Sequence, residues 1–234
     1  MPQPSLGRAE AYINVHLSRS GHGHFSKTTG PFVTISRESG SGGSSLANAL
    51  APRLEQELPG DSPWTVFDRN LVEAMLQSRH LPPRIARFLP EDKVSEIDAS
   101  IGELLGLHPS IWNLIQRTND MMRELARAGH VILVGRGANC ATADVDNGLH
   151  LRLVAPAEFR ANRMAQELSV TADAAATHNA RADAARRSYV RSVFDAEIDR
   201  ASYYDLVINT ARFPTEQAVD LVVGALRNRV VALV

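Results

Sequence analysis

Between residues 31 and 47 the chain reads P-F-V-T-I-S-R-E-S-G-S-G-G-S-S-L-A, an apolar, β-branched run that empties into glycines and then into a helical pattern. Glycines 40, 42 and 43 can adopt positive φ and admit a ligand close to the backbone. Successive amides there can converge on an anion at the start of the next helix, which is the chemistry of phosphate binding. Ser39, Gly40, Ser41, Gly42, Gly43, Ser44 and Ser45 are the residues expected to hold nucleotide phosphates. The strict pattern G-x-x-x-x-G-K-[ST] would put glycine at Arg37 and lysine at Gly43, so the backbone cradle is kept and its usual cation is not.

Two other readings compete for these glycines. A tight turn needs one or two of them, not three within four positions. A dinucleotide-binding G-x-G-x-x-G is the stronger rival, because Asp68 ends the next apolar run, W-T-V-F, where that fold places a ribose-binding acid. Against it, the sixth position is Ser45, and Ser36 to Ser39 separate the strand from the first glycine.

Arginines are the other chemistry-bearing group. Arg136 lies between Gly135 and Gly137, directly after the apolar run V-I-L-V, and Arg69 follows Asp68. The segment A-R-A-D-A-A-R-R-S-Y-V-R spaces Asp183, Arg186 and Tyr189 three residues apart, on one side of a helix, with Arg191 behind them. Arg181, Arg187 and Arg200 read as a solvated face, and Arg160 and Arg163 fit either a donor contact or surface charge. H-E-x-x-H, C-x-x-C and G-x-S-x-G do not occur. His16, His22 and His24 have no carboxylate or cysteine to complete a metal site, and Trp64 and Trp112 read as packing residues.

The elements that must position these groups follow from periodicity. Strands are expected at 32–36, 64–67, 130–134, 149–154 and 204–209, with a sixth at 229–233. Helices are expected at 44–58, 69–79, 91–106, 110–128, 157–168, 172–194 and 214–227. Short apolar strands separated by helices imply a parallel sheet covered on both faces. Residues 1–30 read as a flexible appendage and 31–234 as one domain, with a helical insertion at 68–128 and a lid-side region at about 178–203.

The 234 residues, 44% hydrophobic and 22% charged, suit one sizeable core. A net charge of −1 without any basic run argues against a nucleic-acid partner. The single cysteine, Cys140, excludes an intrachain disulfide and fits the reducing cytoplasm. The short apolar runs give no membrane segment and no signal-peptide core. The stretch I-W-N-L-I-Q-R-T-N-D-M-M-R-E-L has apolar spacing suited to core or to a partner helix in a homodimer.

Taken in order, V-T-I-S-R-E-S-G-S-G-G, F-D-R, V-G-R-G-A-N, V-A-P-A-E-F-R, the Asp183, Arg186, Tyr189 spacing and Y-D-L-V-I-N-T resemble the cytidylate kinase-like proteins, over roughly residues 31 to 228. The resemblance implies a three-layer α/β P-loop kinase fold, ATP or a similar triphosphate as phosphoryl donor, Mg²⁺, and a nucleoside monophosphate such as CMP or dCMP as acceptor. For such a reaction Arg37 is expected at the donor, Arg186 over the transferring group and Arg136 at the acceptor phosphate as the catalytic cations, with Asp68, Arg69, Asp183, Tyr189 and Arg191 also on the acceptor side and the Ser44 and Ser45 hydroxyls placed to help bind Mg²⁺. Val134 and Gly137 stand where the resemblance leads one to expect acids. With the lysine missing as well, a nucleotide sensor without turnover and a kinase of another small molecule remain open beside the nucleotide kinase, and an NAD-binding protein beside those.

Overall fold

β1 (Phe32–Arg37) is the axis of the molecule, hydrogen-bonded in parallel to β3 (Val131–Val134) on one side and β4 (Gly148–Val154) on the other. β2 (Thr65–Phe67) adds outside β3 and β5 (Leu206–Asn209) outside β4, giving the parallel order β2-β3-β1-β4-β5. The computed structural model describes residues 12, 30–60, 62–68 and 109–231. The expected helices at 69–79 and 91–106, and Arg69, lie outside the described residues. A dinucleotide-binding sheet would set β2 beside β1. Here β3 takes that place, which removes the rival reading of the glycines.

Both faces of β1 are covered, as its unbroken apolar run requires. On one face Val33 and Ile35 pack with Leu149, Leu151 and Leu153 against α1 (Gly43–Glu57) and the last helix, α6 (Thr215–Val231). Leu46, Leu50 and Leu54 recur every fourth residue along α1, so one stripe of the helix meets the sheet. On the other face Phe32, Val131 and Leu133 pack with Met121, Met122 and Leu125 of α2 (Pro109–Ala128) and Ala138 of the short α3 (Ala138–Ala141). Tyr12, from the stretch read as an appendage, is buried in this second cluster, donates its hydroxyl to the Gly129 carbonyl, and sets its ring edge-on to Phe67 at 5.8 Å.

Toward β4 this second face turns polar. Thr34 Oγ1 lies 2.8 Å from His150 Nδ1, and Arg152 Nη1 donates to Ser36 Oγ at 2.9 Å. The Arg152 guanidinium is also held by Asp199 at 2.6 Å, so this buried charge is paired.

α4 (Ala157–Leu168) and α5 (Ala172–Phe194) form a helical hairpin beyond β4. The Thr171 hydroxyl accepts the Ala174 amide at 3.3 Å, capping α5. The sixth strand expected at 229–233 is corrected: α6 runs to Val231, because Ala218, Val219, Val222, Val223 and Leu226 set a helical period that carries through the valines. No helix among the described residues is long and apolar enough to cross a membrane.

Candidate functional site

Two glycine-bearing turns meet at the carboxyl edge of the sheet, one after β1 and one after β3. In the first, Gly40 (φ 79) and Gly42 (φ 88) adopt left-handed conformations, and Ser41 folds back onto the Glu38 carbonyl through both its amide (3.2 Å) and its hydroxyl (2.8 Å). Gly42 caps α1 without a side-chain bond. A helix leaves its first amides without intrahelical partners, so α1 directs a set of N–H donors into the turn.

Side chains from the α4–α5 hairpin hold that turn from outside. Asp183 accepts the Ser39 amide at 2.7 Å and pairs with Arg160 and Arg186, each at 2.9 Å. Arg160 also donates to the carbonyls of Ser39 and Ala155, both at 3.0 Å, and pairs with Glu38 at 3.3 Å. Arg163 reaches Ser45 Oγ at 2.7 Å, and a Cβ on Gly42 would lie 2.8 Å from its Nη1. A cleft of about 120 Å³ opens over the turn, with Arg37, Arg163, Glu167 and Arg186 around the glycines.

The second turn aims one residue. Gly135, Arg136 and Gly137 all take positive φ, 85°, 52° and 65°, in succession. A non-glycine residue held in that region carries strain of the order of 1 kcal/mol. The flanking glycines are required by space as well: a Cβ on Gly135 would strike the Arg37 guanidinium, and one on Gly137 the Phe194 ring. Arg136 thereby enters a cleft of about 160 Å³ whose walls include Arg37, Arg186, Tyr189, Val134 and Ile198. Arg37 and Arg186 line both clefts. Burial, partly offset by the Arg136 charge, raises the Tyr189 pKa and keeps it a phenol.

The residues singled out from sequence therefore separate. Arg136, Arg186 and Tyr189 share the second cleft, and Asp68 meets Arg136 in a smaller cavity of about 20 Å³ beside α2. Asp183 points instead at the first turn, and Arg191 is exposed and lines neither cleft. Arg160 is occupied in fixing the turn, whereas Arg163 lies over it. The R-x-x-R spacing in α4 was the available signal for that pair, since it sets both arginines on one helix face.

Mg²⁺ fits the donor set. Among the described residues no group of three or more histidines, cysteines or carboxylates could cage a metal, but Mg²⁺ bound with a triphosphate takes most of its oxygens from phosphate and water. Ser44 is exposed at the first turn of α1 while Ser45 Oγ already accepts from Arg163, so Ser44 is the freer hydroxyl.

The family profile described as "Cytidylate kinase-like family" matches residues 32–212, which carry both turns and the hairpin. The chain belongs to the cytidylate kinase-like family. Membership places it among the nucleotide kinases. Cytidylate kinase of Methanocaldococcus jannaschii is 25% identical over 175 residues, covering 73% of this chain and 94% of that protein. Cytidylate kinase of Haloarcula marismortui is 26% identical over 197 residues, 84% of this chain and 89% of that one. A match to uronate isomerase of Corynebacterium glutamicum, 32% identical over 108 residues, spans 46% of this chain and 20% of that protein. Among solved structures, an uncharacterized protein from Eubacterium ventriosum superposes with a TM-score of 0.64 at 18% identity, over 85% of this chain and 99% of that one, a likeness of fold.

Proposed function

We propose that the protein transfers the terminal phosphoryl group of ATP to a nucleoside monophosphate, with CMP or dCMP as the acceptor. The observation that carries this reading is that a phosphate-binding turn and an arginine-lined cleft share Arg37 and Arg186 as their common wall. Transfer between two polyanions needs them in line, neutralised and shielded from water.

Donor phosphates lie on the Gly40–Ser45 backbone and the first amides of α1. Arg37 and Arg163 supply the positive charge that Gly43 does not, and Ser44 is the hydroxyl offered to Mg²⁺. The metal, when bound with the triphosphate, neutralises charge on its phosphate oxygens. Arg136 binds the acceptor phosphate, with Asp68 beside it and Tyr189 as the wall. An acceptor phosphate oxygen forms the new bond to the terminal phosphorus while the bridging oxygen leaves with ADP. Arg186, shared between clefts, stabilises the charge that spreads over the transferring group, and α5 is the lid that carries it.

Turnover measured across a panel of triphosphates and monophosphates, with and without Mg²⁺, tests this. Arg186→Ala should lower kcat at least about tenfold, a loss of about 1.4 kcal/mol, whereas Arg37→Ala should chiefly weaken triphosphate binding. Val134 and Gly43, which stand where an acid and a lysine were expected, favour a second reading as a nucleotide sensor. Triphosphate binding with no turnover of any monophosphate would establish the sensor instead.

A further inference from the structure

Behind the acceptor cleft lies a fourth cavity, of about 410 Å³, that the phosphotransfer reading does not use. It sits between α3, the start of β4 and the chain that leaves α5. Phe194, Tyr203 and Tyr204 supply ring surfaces, and Asn139, His150 and Asp195 supply hydrogen-bonding groups. Two side chains wall it off from the acceptor cleft. Phe194 packs on Gly137 and edge-on to Tyr189 at 6.2 Å, and the Tyr204 hydroxyl donates to the Ile198 carbonyl at 2.7 Å.

The walls of this cavity differ in kind from those of the two arginine-lined clefts. Among the described residues no lysine or arginine lines it, while two carboxylates do, Asp195 and Asp205. Asp205 is engaged by Arg229 and by the His150 amide, but the Asp195 carboxylate forms no ion pair among the described residues. Asp195 also caps the C-terminal end of the 23-residue α5, where the helix dipole adds negative potential. A phosphorylated ligand finds no cation in that lining among the described residues, the Arg152 and Arg200 guanidiniums lying instead over the Tyr204 and Tyr203 rings. The His150 ring, bonded through Nδ1 to Thr34, stays neutral because burial lowers its pKa, so it offers a hydrogen bond without adding a cation. Aromatic surfaces for stacking, with acceptors for N–H and hydroxyl groups, suit a flat nitrogen heterocycle. The volume exceeds what a base alone would fill.

We propose that this cavity binds a nucleoside lacking phosphate, at a site separate from both nucleotide clefts. Cytidine and adenosine are the probes, titrated calorimetrically into the full chain with a non-hydrolysable ATP analogue and CMP in excess. At least one nucleoside should bind at millimolar concentration or below without displacement by the nucleotides. Ala143→Trp, at an exposed position on the cavity rim, should weaken that binding at least about tenfold, and Arg136→Ala should leave it unchanged. Tyr203→Ala removes one ring and gives the same loss by a second route if the tryptophan variant does not fold. The proposal is overturned if neither nucleoside binds the wild-type chain. It is overturned equally if binding is competed away by the nucleotides and lost in Arg136→Ala, or if a folded Ala143→Trp and Tyr203→Ala both bind as wild type does.

Discussion

The turns after β1 and β3 both use left-handed glycines, yet they solve opposite problems. The first aims the uncapped amides of α1 into its cleft, with Gly42 supplying no side-chain cap and Asp183 holding the Ser39 amide from 144 residues away. The second aims one side chain instead, holding Arg136 at φ 52 between two glycines. Glycine serves the first turn by clearing a path to amides and the second by clearing room for Arg37 and Phe194. A glycine-rich motif therefore does not by itself say which atoms will bind.

The largest effect should come from breaking the carboxylate that fastens the first turn. Asp183→Ala leaves Arg160 and Arg186 without their shared partner, and about 3 kcal/mol of unfolding free energy should be lost in urea denaturation, the low end for one member of a buried pair. A loss under about 1 kcal/mol would show that the turn holds itself.

Gly42→Val tests the backbone role directly. A β-branched residue is strained at φ 88, and its Cβ meets Arg163, so affinity for an ATP analogue should fall at least about tenfold. Wild-type affinity in a folded variant would falsify the assignment of this turn to the donor.

Arg136 can be replaced in two ways that separate its side chain from its backbone. Alanine and glycine variants should both lose about 1.5 to 3 kcal/mol of interaction with the acceptor phosphate. The glycine variant should nevertheless be more stable to denaturant than the alanine variant by about 1 kcal/mol, because only glycine is free at positive φ. Equal stabilities would mean that the left-handed backbone stores no strain.

The smallest effect concerns His150, on the polar flank of the sheet. Burial, only partly countered by Asp205, holds its pKa below 6.5, so the folded chain keeps it neutral where the unfolded chain takes a proton. Its contribution to stability is full above about pH 6.5 and declines as pH falls toward the folded value. His150→Asn should flatten that part of the profile of urea midpoint against pH. An unchanged slope would mean that other groups carry it.

How much of this was legible varies with the distance over which residues act. β1, α4 and α5 follow from local periodicity, and their observed ends lie within a residue or so of the expected ones. The final valines mislead, because β-branched residues favour strands only when packing does not already fix a helix, and the stripe from Ala218 to Leu226 fixes one. Arg136 was legible because glycines bracket it after an apolar strand. The turn of Asp183 toward Ser39 was not, since a spacing of three residues gives a shared helix face but not what faces it. Arg160 and Arg163 look alike in sequence, and only the position of α4 against the turn divides a brace beneath the turn from a guanidinium lying over it.

The reach of Asp183 also bears on how the molecule is made. Ser39 leaves the ribosome before its amide partner, which is 144 residues further on, and the β4 strand that lines up with β1 comes only after residue 147. Chains leave the ribosome N-terminus first, and long-range partners cannot act before they appear. The glycine turn is thus written well before the residues that shape it. A nascent or truncated chain that stops short of α5 should contain every glycine of the motif and still fail to hold a nucleotide.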